Sequence, residues 1–178
     1  MANICDFSMY VKGNKEDIKR FYNALVQEDN LYMGRGAEAE IQYDEDTAFI
    51  NGWCKWSVHS ALVDNAISMR TNPEMWAWGK DTDVSQLEFI TLFEACREWN
   101  LDMEVYSEEP GCAFQEHYIC LKGDVVCDEC VEYNEYCICD YATKEEAEEE
   151  LGIEITNEEW GREDYICRGG FEDWNFEI

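Results

Sequence analysis

The chain has 178 residues, with 13 Lys and Arg against 41 Asp and Glu, a formal charge of −28. That balance excludes ordinary nucleic-acid binding, which needs Lys and Arg clusters to grip phosphates, and it disfavours an anionic membrane surface. Disorder is excluded by the other half of the composition: hydrophobic residues make up 46% and aromatics 14%, with only 2 Pro, so the chain buries a core despite its self-repulsion.

Ile4, Phe7, Met9 and Val11 form a first strand that ends at Lys12-Gly13-Asn14. Asn14 caps a helix, with Glu16 and Asp17 in its first turn, where the helix dipole favours anions. Ile18, Phe21, Tyr22, Leu25 and Val26 then recur at helical spacing. Residues 38–43 and 47–53 read as two strands joined by Asp44-Glu45-Asp46. Residues 57–63 read as a short helix, and 64–82 as an irregular loop carrying Trp76 and Trp78. An Asp83 cap opens a second long helix through Leu87, Ile90, Phe93, Ala95, Cys96 and Trp99, and residues 101–106 alternate as a strand.

The order β-α-β-β-(short α)-α-β predicts an α+β fold, a ferredoxin-like antiparallel sheet with helices on one face. Residues 113–121 and 125–133 add a hairpin around Lys122-Gly123-Asp124. Residues 143–151 form an acidic helix with a Thr143/Glu146 capping box and a Gly152 stop, and 165–168 and 174–178 are short strands. The expected division is a core over 1–110 and a C-terminal sheet extension with its acidic helix over 111–178, packed as one domain. The expected core holds Phe7, Met9, Phe21, Leu25, Ile50, Leu87, Ile90, Phe93, Leu101, Met103 and Val105.

Residues 1–9 lack the basic and apolar regions of a signal peptide, and no apolar run reaches membrane-spanning length. The expectation is a cytoplasmic protein of a bacterial host cell whose 10 cysteines stay mostly reduced. The charge is unevenly placed. Acids and bases cancel over residues 1–35, whereas residues 101–178 carry 24 acids against 4 bases, a net −20.

The stretches MANICDFSMYVKG, NGWCKWSVHSAL, LDMEVYSEEPGCAFQEHYICLKGD and RGGFEDWNFEI together resemble the YubB-like proteins with a ferredoxin-like domain, encoded by phages, plasmids and other bacterial mobile elements. The resemblance leaves out the 64–82 loop and implies a fold and a genomic setting rather than an activity. Small acidic proteins of such elements include inhibitors of host defence nucleases, to which this chain is similar in size and charge.

Carboxylates every second residue of a strand, or at i and i+4 of a helix, repeat at about 6 Å, the same order as phosphates along a nucleic-acid strand. Asp128, Glu132 and Glu135, with Glu145, Glu146, Glu149 and Glu150, are candidates for such rows. The competing explanation is a solvated charged face, but −28 far exceeds the magnitude of about 2–8 that solubility asks of a small domain. The expected function is therefore inhibition of a CRISPR effector or restriction nuclease at its basic nucleic-acid channel, with no cofactor and no direct nucleic-acid contact. Trp76 and Trp78 are a candidate aromatic anchor.

Two further readings stay open. Cys112 and His117 can be drawn as a nucleophile pair of a small enzyme, and the chain can be an acidic structural protein of a phage or plasmid. Cys127, Cys130, Cys137 and Cys139 can be drawn as a zinc set. Against that, residues three apart on a strand face opposite ways, and structural thiols are the commoner explanation.

Overall fold

The computed structural model describes residues 3–75, 86–162, 165–171 and 173–178. It is a mixed α+β structure built on seven strands. These are β1 (Ile4–Lys12), β3 (Glu38–Asp44), β4 (Thr47–Lys55), β6 (Asp102–Glu109), β7 (Phe114–Leu121), β8 (Asp124–Cys137) and β9 (Tyr165–Gly169). They lie in the order β3-β4-β1-β6-β7-β8-β9, antiparallel at every junction. Two short strands, β2 (Leu31–Tyr32) and β5 (Glu88–Phe89), pair in parallel beside it. The chain reaches β3 from β1, and β6 from β4, by helical connections that each skip a strand, so β1 ends between β4 and β6.

Alternation in β1 sends Cys5, Phe7, Met9 and Val11 into one core, which they share with Ile18, Phe21 and Leu25 of α1 (Lys15–Val26). Asn14 caps α1 by accepting from the Glu16 amide (2.9 Å), as the sequence predicts. Cys54, Cys96 and Cys120 are buried in that core as small apolar groups. A second cluster, Ile138, Ala147, Ile155 and Ile166, ties together α4 (Lys144–Leu151), β9 and the strand-to-helix loop. Among the described residues no helix is long and apolar enough to cross a membrane.

Three expectations change. The short helix does not stop at Val63. It runs through a π-helical segment, Ser60–Asp64, into α2 (Asn65–Thr71) and a 3-10 turn at Pro73–Met75. Much of the expected 64–82 loop is therefore helical, and Ala61 keeps a carbonyl that accepts from the Arg35 amide (3.1 Å). Gly34 allows this contact, because a Cβ there would lie 2.0 Å from the Ala61 oxygen.

The second long helix is also shorter than expected. α3 spans Leu92–Glu98 and starts from a Thr91/Glu94 capping box, while residues 88–89 pair as β5. Leu87, Ile90 and Phe93 are accordingly only partly buried, whereas the other expected core residues are buried. Asp83 lies outside the described residues. Finally, residues 174–178 form no strand. They lie as an irregular strap whose amides bond to a side chain of β6 rather than to a neighbouring backbone. A short helix over Asn157–Arg162, α5, was not signalled by periodicity.

Glu94 closes the cap by accepting from the Thr91 amide (2.9 Å) and pairs with Arg70 of α2. The Arg70 guanidinium, helped by Thr91, holds its carboxyl at about 2, below the ordinary 4.5. A depressed carboxylate stabilises above its unfolded pKa and loses that contribution as pH falls through the folded value. The stability gap between wild type and Glu94→Gln, measured by urea unfolding, should be full above pH ~5 and close towards pH ~2.

Candidate functional site

The acidic helix forms as expected. Thr143 caps α4 by accepting from the Glu146 amide (3.2 Å), Gly152 ends it in the left-handed conformation, and only Ala147 is fully buried. Glu145, Glu146, Glu149 and Glu150 are all exposed, and no ion pair among the described residues engages them. Glu146 has a second role, because its carboxylate accepts from the Ala142 amide (3.2 Å). Glu148 turns inward instead, accepting from the Ile155 amide (2.9 Å).

The expected strand row is split. Asp128 and Glu132 lie on one face of β8, and Glu135, at odd spacing, lies on the other. All three are exposed. β9 pairs with β8 only over Tyr133–Cys137, so Asp128, Glu129 and Glu132 sit where the outer edge of β8 has no partner strand among the described residues. Charge on an open edge also blocks edge-to-edge pairing with other chains. Trp76 and Trp78 lie outside the described residues.

The four-cysteine zinc set does not assemble. Tyr118 pairs with Asp128 and Glu116 with Cys130, which puts Cys130 on the face opposite Cys127. Cys137 lies instead beside Cys139 (Sγ to Sγ 2.9 Å) and Asp140. The Cys112–His117 pair fails as well. Cys112 sits in the β6–β7 turn, where its Sγ accepts from the Asn3 side-chain Nδ2 (3.0 Å), and a hydrogen bond to Glu109 raises its thiol pKa.

His117 is engaged elsewhere. Its Nε2 meets Oε1 of Glu104 (2.9 Å), a carboxylate at 0% exposure on β6. Its Nδ1 faces Cys127 Sγ at 3.5 Å. Since an ionised carboxylate only accepts, this network puts a ring proton on Nε2, and in the neutral ring Nδ1 then presents its lone pair to the thiol. Oε2 of Glu104 accepts from the amides of Glu177 (2.6 Å) and Ile178 (3.2 Å). The Tyr106 ring stacks on His117 (centroids 4.0 Å, planes 4° apart), and Phe171, together with Trp174 and Phe176 of the strap, packs around Tyr106.

Two groups of His, Cys, Asp or Glu among the described residues bring their ligand atoms within 4.8 Å of one another: His117, Cys127 and Glu129, and Cys137, Cys139 and Asp140. A Cys–His–carboxylate chain also has the connectivity of an activated nucleophile. Its electrostatics oppose that role. Partial burial and the charges of Glu129, Asp128, Glu104 and Glu177 raise the Cys127 thiol pKa, whereas reactive cysteines need it lowered.

Sequence reasoning missed Glu104. The alternation Leu101, Met103, Val105 marks one buried face, and nothing local shows that the opposite face is covered too. The signal was distant: the aromatic run Phe171, Trp174, Phe176 needs a surface to cover. Leaving a buried hydrogen-bond donor without its acceptor costs about 1–3 kcal/mol. Glu104→Ala should lose about that much in urea unfolding, and the Glu177 and Ile178 amides should exchange with deuterium far faster than in wild type.

Comparison of the chain with protein-family models, curated proteins and solved structures returned no match.

Proposed function

We propose that this chain is an acidic interaction protein of a bacterial mobile element that acts in the cytoplasm, inhibiting a host defence nuclease by occupying its basic nucleic-acid-binding surface. The observation that carries the reading is α4, which presents Glu145 with Glu149, and Glu146 with Glu150, on exposed turns without cationic partners among the described residues. Spacings of about 5–6 Å within each pair approach the phosphate repeat to within a few ångströms. The −20 on residues 101–178 adds a long-range attraction to any Lys/Arg-lined channel, which raises the encounter rate at low salt.

We read the β3-β4-β1-β6 order as a ferredoxin-like core and residues 111–178 as its acidic extension; the skipped-strand connections support this. The YubB-like resemblance rests on the sequence stretches that carry it. A small enzyme built on a cysteine and a histidine is the weaker reading, because the anionic surroundings of Cys127 work against a thiolate. An acidic structural protein differs from an inhibitor in one respect: it does not compete with nucleic acid.

The test uses purified CRISPR effector and restriction nucleases with fluorescent duplex DNA or RNA. A target nuclease should be inhibited competitively with its nucleic acid, and the inhibition should fade as the Debye length falls from about 10 Å at 0.1 M salt to about 3 Å at 1 M. Glu146 caps its own helix, so the informative variant is the Glu145→Lys, Glu149→Lys, Glu150→Lys triple, which leaves that bond intact. It should bind at least about tenfold more weakly with an unchanged melting temperature, since surface substitutions of this kind cost little stability. Undiminished binding by the triple variant, or binding that leaves nucleic acid free to enter, overturns mimicry by α4.

A further inference from the structure

We infer that His117, Cys127 and Glu129 form a binding site for a divalent transition-metal ion of the zinc class, with Glu104 as the residue that positions the histidine. The three ligand atoms are an imidazole nitrogen, a thiolate sulfur and a carboxylate oxygen, the donor set of mixed zinc sites that keep a fourth position open.

The sheet itself puts them together. His117 and Glu129 are directly paired across β7 and β8, and Cys127 pairs with Ile119, two residues along the same face. Tetrahedral coordination with bonds of about 2.3 Å to sulfur and about 2.0–2.1 Å to nitrogen places those two ligand atoms about 3.6 Å apart. Cys127 Sγ and His117 Nδ1 are 3.5 Å apart. The same spacing serves an S–H···N hydrogen bond in the metal-free chain, so binding needs loss of the thiol proton but little movement of these two side chains.

The second observation is independent of the cluster. A metal-bound histidine donates its other ring N–H to a carboxylate or carbonyl, which fixes the tautomer and the ring plane. Glu104 does this from a fully buried position, and it is itself held by two strap amides, while Tyr106 stacks on the ring. The free nitrogen therefore points at the thiol by construction.

Glu129 supplies one carboxylate at the site and Glu104 a second behind the histidine, negative charges that a dication neutralises. The Cys137, Cys139, Asp140 group also has its ligand atoms within 4.8 Å of one another, but it contains no histidine for a buried carboxylate to orient.

The test titrates the full chain with Co²⁺ after removal of metal by a chelator under reducing conditions. It reads thiolate-to-cobalt charge-transfer absorption and the visible bands of tetrahedral cobalt. Displacement by Zn²⁺ is followed by calorimetry, and circular dichroism confirms that each variant is folded. Wild type should saturate. The charge-transfer band due to this site should vanish in Cys127→Ser and persist in the Cys137→Ser, Cys139→Ser double variant. Glu104→Gln should keep the band at saturation while weakening affinity about 10–100-fold. No charge-transfer band at saturating Co²⁺, or a wild-type band retained by folded Cys127→Ser, overturns the assignment. A band lost only in the double variant overturns it equally, because it moves the metal to the other cluster.

Discussion

The structure depends on one buried carboxylate. Glu104 is fully inaccessible on a strand whose neighbours Met103 and Val105 point into the main core and whose other face lies beneath the C-terminal strap. An isolated carboxylate in such a place is costly. Here His117 and the amides of Glu177 and Ile178 supply its hydrogen bonds, so the cost is met only when the strap is docked and the imidazole is in register. Burial of β6 on both faces, the stack of Tyr106 on His117 and the packing of Phe171 and Trp174 are consequences of that arrangement.

Much of the fold could be read from local chemistry. Asn14, Thr143 and Gly152 mark helix ends by hydrogen-bonding rules that act within a few residues, and the Lys122-Gly123 turn takes the left-handed backbone that a tight hairpin requires. Longer-range effects override local pattern elsewhere. Thr91 and Glu94 offer a capping box, yet the apolar spacing of Leu87 and Ile90 suggests an earlier helix start; pairing of β5 with β2 settles the contest. The π-helical segment at 60–64 is stabilised by a carbonyl contact to Arg35, some 26 residues earlier in the chain, and leaves no mark on hydrophobic periodicity.

The candidate sites divide along the same line. The exposed glutamates of α4 could be identified from sequence because helical spacing alone determines them. The His117–Cys127–Glu129 arrangement could not, because it depends on the register of β7 against β8, including the irregularity at Ile119/Cys120. Strand geometry sends Cys127 and Cys130 to opposite faces, and the histidine partner of Cys127 comes from the neighbouring strand. The charges around Cys127 come from Glu129, Asp128, Glu104 and Glu177, and with partial burial they raise its thiol pKa, which disfavours thiolate chemistry.

The central claim is that Glu104 fixes His117 with its proton on Nε2 and its Nδ1 lone pair towards Cys127. Long-range ¹H–¹⁵N correlation of the His117 ring in the metal-free protein at neutral pH tests this most directly. The account predicts a protonated Nε2 and an unprotonated Nδ1 in wild type, with that preference lost in Glu104→Ala. A proton on Nδ1 in wild type, or a ring signal that Glu104→Ala leaves unchanged, would contradict it.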